Sequence, residues 1–120
     1  MSTRKLGARR SDTICEFARA FDCRVVDPWI VRATHEEVGK WLGAGFPLRA
    51  EDRFQEDLRI DEEDLNMIAY DVAARGGYDM TSPDQNPMWG KVKTVRDLVM
   101  FFTHQPLTGL REQARVASKD

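Results

Sequence analysis

Residues 61–77 read Asp-Glu-Glu-Asp-Leu-Asn-Met-Ile-Ala-Tyr-Asp-Val-Ala-Ala-Arg-Gly-Gly. The four leading acids suit the electropositive start of a helix. Leu65, Ile68, Ala69 and Val72 then recur at helical spacing and form one apolar stripe. Gly76-Gly77 stops the helix, as glycine does at the left-handed residue beyond a C-terminus. A helix with a single apolar stripe must lay it on other elements, so the rest of the chain has to supply them.

Those elements also read as helices. Ser11 or Asp12 can cap a first one, with Ile14, Phe17, Ala18 and Phe21 on one face. Arg24 to Val31 reads as a buried connector, because Asp27-Pro28 interrupts the strand-like Val25, Val26, Trp29, Ile30 and Val31. Thr34 and Glu37 have the spacing of a capping box, which predicts a helix running to about Leu42 and ended by Gly43, Gly45 and Pro47. Leu48 to Ile60 is a loop pinned by Phe54 and Leu58. Thr94, with Asp97 three residues on, opens a last helix that Pro106 closes. Between them, Tyr78 to Lys93 is a loop with Pro83 and Pro87, and one helical turn is expected around Asp84 to Trp89. The predicted core is Phe54, Leu58, Leu65, Ile68, Val72, Val95, Leu98 and Phe102.

The expected fold is an all-α four-helix bundle in a single domain, with a flexible basic tail over 1–10 and a helical extension over 11–33. The bundle core then runs over 34–106 and a polar tail over 107–120. A chain of 120 residues fits one domain. It has no apolar run near the 18–20 residues that span a bilayer, and no apolar stretch behind the basic N-terminus, so neither a membrane span nor a secretory signal is expected. Cys15 and Cys23 make no disulfide framework, which points to free thiols in a reducing, cytoplasmic setting.

Several chemistries find little support. His35 and His104 lack nearby ligand partners, so no zinc site is expected. A calcium loop counted from Asp57 would need oxygen at Arg59 and glycine at Glu62. Glu62 and Glu63 are adjacent and do not face each other across a substrate. Gly43-Ala-Gly45 lacks the Lys-Ser/Thr of a phosphate loop. Cys15, with no histidine near in sequence, reads as a core thiol rather than a nucleophile. The basic tail lacks the aromatics of a nucleic-acid platform. No enzyme activity, metal, cofactor or nucleic acid is therefore expected.

The charge is unevenly spread. Glu51 to Asp64 holds eight acids against Arg53 and Arg59. Within this region Phe54-x-Glu-Asp-Leu58, followed by Asp61, resembles the acyl carrier protein pattern of Phe, a Glu-Asp-Leu triplet, two residues and Asp-Ser-Leu. Tyr78-Asp79-x-x-x-Pro83-Asp84 resembles that family's aromatic-Asp-x-x-x-Pro-Asp. Thr94-Val95-x-Asp97-Leu98-Val99 resembles the start of its last helix. The motifs keep the family's order over residues 36 to 104, with about two residues inserted near Gly76-Gly77 and about two before Thr94.

The resemblance implies a carrier fold, and one position breaks the implied chemistry. Glu62 stands where the family has the serine that receives phosphopantetheine. Asp61 matches the preceding aspartate, Glu63 replaces a leucine, and Asp64 matches a following acid. Met67 and Tyr70 fall on the family's outward recognition face, and Ala73 and Ala74 replace carboxylates. Thr81, Ser82 and Ser11 are in the wrong places to take the arm. The resemblance thus implies a non-enzymatic, monomeric interaction module in which Asp61, Glu62, Glu63, Asp64, Met67 and Tyr70 meet a protein partner with a basic patch. A genuine or accessory carrier in fatty-acid, polyketide or related thioester biosynthesis is the alternative. Met67, Tyr70 and Ala74 have a second reading, favoured on the apolar content of residues 11–33: the extension covers them. Trp41, Met88, Trp89 and Phe101 read as packing residues.

The chain should gain no mass when incubated with coenzyme A and a promiscuous phosphopantetheinyl transferase. Glu62→Ser is the change that restores a hydroxyl at the attachment position. Modification of the unaltered chain, read by intact mass, would contradict the non-carrier assignment.

Overall fold

The computed structural model describes residues 14–22, 24–43 and 46–109. Among these the protein is an all-α helical bundle without strands. Residues 14–19 are helical (α1), followed by α2 over Pro28–Leu42, α3 over Glu62–Gly76 and α4 over Val95–Phe101. Short 3-10 turns occupy Pro83–Gln85 and Phe102–His104. Two isolated antiparallel bridges occur: Arg53 to Thr94 ties a loop to the start of α4, and Tyr78 to Leu107 joins the exit of α3 to the segment after the second 3-10 turn. No described helix is long and apolar enough to cross a membrane. The basic tail, the Ser11 or Asp12 cap, Cys23, Gly45 and the polar tail beyond 109 lie outside the described residues.

The start of α2 departs from the sequence expectation. The helix begins at Pro28, not at a capping box on Thr34, and the supposed connector supplies its first turn. Asp27 is the cap: its carboxylate accepts from the Trp29 amide at 3.0 Å. Proline, with its fixed φ and no amide hydrogen, fits the first helical position. Asp27-Pro28 is therefore a start signal here rather than a break. Thr34 and Glu37 become interior helix residues, 0% and 5% exposed. The boundary drawn at residue 34 consequently falls inside α2.

The end of α2, both ends of α3 and the start of α4 follow the sequence, but α4 stops at Phe101 and tightens into the 3-10 turn Phe102–His104, before the Pro106 expected to close it. Asp61 caps α3, and Gly77 closes it at φ 76°, the left-handed conformation that glycine adopts without penalty. Thr94 and Asp97 make a reciprocal capping box on α4. The expected helical turn in the Tyr78–Lys93 loop forms earlier, over Pro83–Gln85. Of the predicted core, Phe54, Leu58, Ile68, Val72, Val95, Leu98 and Phe102 are buried, and Leu65 is half-buried at its edge. Trp41 and Trp89, predicted to pack, are 44% and 45% exposed, whereas Phe101 is buried and Met88 partly so.

α2 packs mainly on α3. Gly76 meets Ile30 so closely that a Cβ there would lie 2.5 Å from Ile30 Cδ1. Beside this contact, Arg75 donates to Glu37 at 2.7 Å and also to Glu36. Lys40 donates to Glu37 at 3.0 Å. Tyr78 donates to Asp27 at 3.0 Å and joins the end of α3 to the start of α2.

α1 is held from α2 and α4. Phe17 is buried against the His35 ring, with centroids 5.2 Å apart. Arg96 lies over the Phe21 ring and donates to the Ala20 carbonyl at 2.9 Å and to Glu51 at 2.6 Å.

Desolvation raises the pKa of Glu37, but the Arg75 and Lys40 hydrogen bonds outweigh it and hold the carboxyl below its ordinary value. A depressed carboxyl stabilises the fold above the unfolded-state pKa and loses that contribution as pH falls through the folded one. Arg75→Met should cost about 1–2 kcal/mol at neutral pH, the lower part of the range for stranding a buried acceptor, because Lys40 remains and Arg75 is partly exposed. The gap between variant and wild type should close as pH drops below the ordinary Glu value of 4.5. Denaturant titrations across pH measure it, and a gap constant with pH would contradict the assignment.

Candidate functional site

The site is built on α3. Asp61 has extended backbone, and its carboxylate accepts from the Asp64 amide at 2.9 Å, satisfying one of the open donors of the first turn. Glu62 and Glu63 follow, both exposed, and Asp64 is half-buried. Desolvation, then the Asp61 carboxylate and its hydrogen bond, push the Asp64 carboxyl above its ordinary value.

Elsewhere Glu36, Glu37, Glu51, Glu56 and Asp57 each pair with an arginine or lysine. Asp61, Glu62, Glu63 and Asp64 take part in none of the ion pairs among the described residues. Among the described residues, the helix start therefore presents a negative field that no ion pair compensates.

The chain reaches this start through Arg59, whose φ of 58° lies in the left-handed region. The turn sits between Leu58 and Ile60, which are both buried, and the Ile60 amide donates to the Phe54 carbonyl at 2.7 Å. Two neighbouring anchors thus enter the core just before α3 begins.

Beyond the acids, the outward face of α3 carries Asn66, Met67, Tyr70, Asp71 and Ala74, all exposed. Met67 is 57% and Tyr70 48% exposed, so the expectation that the extension covers them is not met. The reason is where the extension docks: Phe17 goes to α2, and Arg96 of α4 holds Ala20 and Phe21. All six predicted site residues lie on α3 and its cap, and five of the six are exposed.

Sequence reasoning missed a cavity of about 390 Å³ alongside this face. Phe54, Leu65, Ala69, Val92, Leu98 and Phe101 line it, with Glu62, Tyr70 and Trp89 among its exposed lining residues. Its outer wall is the Tyr78–Lys93 loop. Buried Asn86 fixes that loop, donating to the Phe101 carbonyl and to Gln105 Oε1, both at 2.8 Å, and accepting from the Met88 amide at 2.8 Å. Gln105 in turn donates to the Asp79 carbonyl at 2.8 Å. No sequence periodicity signals such a network, because its members lie on loops and contacts of 15–26 residues join them.

Other candidate chemistry does not assemble. Cys15, read as a core thiol, is exposed on α1. Among the described residues no group of three or more His, Cys, Asp or Glu is arranged to hold a metal ion. Comparison with protein-family models, curated proteins and solved structures finds no match to this chain.

Removing the cap with Asp61→Ala should destabilise the protein by about 0.5–2 kcal/mol, while Asp61→Asn, which keeps the acceptor, should stay close to wild type. Chemical denaturation monitored by circular dichroism distinguishes the two.

Proposed function

We propose that the chain is a non-enzymatic protein-interaction module of acyl-carrier-like design, lacking the phosphopantetheine serine, that docks a partner through the start of α3. The observation that carries this reading is the outward face of α3, where exposed Glu63, Met67 and Tyr70 line up below the acids Asp61, Glu62 and Asp64 of the helix start. Methionine and tyrosine are enriched in interfaces, where each offers apolar area with some adaptability. The acids select a partner with a basic patch and speed its approach. Glu62 at the family's attachment position removes the nucleophile for the carrier modification and adds to the same field.

The division of labour is physical. Exposed rim charges act mainly on association rate and its salt dependence. The residence time then falls to Met67 and Tyr70, because apolar contact is not screened by salt.

Reversing Glu62 and Glu63 to Lys should leave the fold intact, since both side chains point to solvent at the start of α3. Association with a partner recovered by affinity purification should slow about tenfold or more at low salt, with a flatter dependence on ionic strength. Met67→Ala with Tyr70→Ala should instead speed dissociation. Rates and salt slopes equal to wild type in both variants would remove the docking assignment.

A further inference from the structure

His35 meets α1 with a nitrogen that nothing satisfies. Its ring stands 5.2 Å from that of Phe17, centroid to centroid, and Nε2 is buried without a hydrogen-bond partner among the described residues. In a neutral imidazole this leaves one hydrogen bond unmade. In a protonated one both nitrogens carry N–H, so Nε2 becomes a charged donor with no acceptor. The tilted Phe17 ring attracts a cation weakly, against the larger cost of holding an unpaired charge out of water. The seat of α1 is also incompletely filled: an apolar groove of about 300 Å³ is lined by Ile14 and Ala18 of α1 and by Pro28 and Val31 of α2. Among the described residues α1 spans 14–19, less than two turns, and a helix of that length holds only while docked.

We propose that His35 is an acid-sensitive latch: protonation of its ring releases α1 from α2 while the bundle of α2, α3 and α4 stays folded. The surrounding charges do little to retain the charged ring. Glu36, next on α2, favours it, but that carboxylate is shared between Arg32 and Arg75. Glu37 is shared between Lys40 and Arg75. On α1, Cys15, Glu16 and Arg19 are exposed. On α4, Arg96 is paired with Glu51 and Asp97 serves the cap. Burial is the largest influence, and it holds the His35 ring below its ordinary value of 6.5. A ring whose pKa is lower when docked than when free supports docking fully above 6.5 and loses that support as pH falls toward the docked value. The docking constant then drops by up to about tenfold per pH unit. The bundle keeps its own ties, the Gly76–Ile30 contact and the Arg75–Glu37 bond, and Glu37 weakens only below its ordinary 4.5. The latch does not depend on the docking face of α3 and stands if that reading fails.

A nuclear magnetic resonance titration of the full chain from about pH 8 to about pH 5, the range in which imidazoles change charge, tests the assignment. The His35 ring protons should titrate below 6.5, with exposed His104 as the internal reference. The amide signals of Phe17 and Phe21 should move to unstructured positions over the same interval, while those of Val72 and Leu98 hold. His35→Phe, which cannot be protonated, should keep α1 docked throughout. Phe17→Ala should return the His35 titration toward 6.5 with Val72 and Leu98 unmoved. If His35→Phe does not fold, the unaltered chain and Phe17→Ala decide. A His35 titration at or above 6.5, Phe17 and Phe21 signals that do not move, an unchanged acid response in His35→Phe, or loss of the Val72 and Leu98 signals together with those of α1 would each overturn the proposal.

Discussion

The close approach of α2 and α3 at Gly76 is the constraint on which the remaining structure depends. Glycine lets Ile30 lie directly over the α3 backbone: a Cβ would stand 2.5 Å from its terminal methyl and force that side chain to shift. That contact sets the rotation of α3 about its own axis. Ile68, Val72 and Ala73 then face inward, and Glu63, Met67 and Tyr70 face out. Arg75, one residue earlier, clamps the same junction through Glu37, whose buried carboxylate would be costly without it. A slip of one residue in α3 would break both interactions and turn the apolar stripe off the core.

A second layer of constraint comes from groups that satisfy one another across long sequence distances. Asn86 and Gln105 hold the Tyr78–Lys93 loop against the end of α4. Arg96 holds the segment after α1 to α4 and to Glu51. These contacts are polar and directional, so they fix geometry where the apolar core alone would allow sliding. The loop they hold is the wall of the cavity, so its shape is a consequence of satisfied hydrogen bonds more than of loop sequence.

Much of the scaffold was legible in the sequence because its signals are local. The α3 stripe, the Gly77 stop and the Thr94–Asp97 box each lie within a few residues and act through backbone geometry. The start of α2 was misread because Asp27-Pro28 has two physical meanings. Proline breaks a helix already running and favours one that is beginning, and composition does not separate them. The exposure of Met67 and Tyr70 turned on where α1 docks, a tertiary choice carried by Phe17, His35 and Arg96. The Arg75 clamp, the Asn86 network and the cavity were invisible for the same reason: their partners meet only after folding.

The acids at the start of α3 show what this scaffold is shaped to present. A helix N-terminus favours negative charge, by about 0.3–1 kcal/mol for an exposed residue, and the effect fades within one turn. Asp61 alone supplies the cap through its bond to the Asp64 amide. Glu62 and Glu63 add charge the cap does not need, and the raised pKa of Asp64 records desolvation and the neighbouring Asp61 carboxylate acting on one group. The approach through Arg59 adds left-handed strain at a non-glycine residue, of order 1 kcal/mol. Glycine at 59 would relax the left-handed strain, whereas the first-turn acids gain from the helix dipole while repelling one another. Glu62 lines the cavity, and exposed Met67 and Tyr70 follow it on the same helix. Strain just before the helix, acids without an ion-pair partner among the described residues and exposed Met67 and Tyr70 thus follow one another along the outer side of α3, while Ile68, Val72 and Ala73 pack inward. That asymmetry is the physical ground for the docking face proposed on α3.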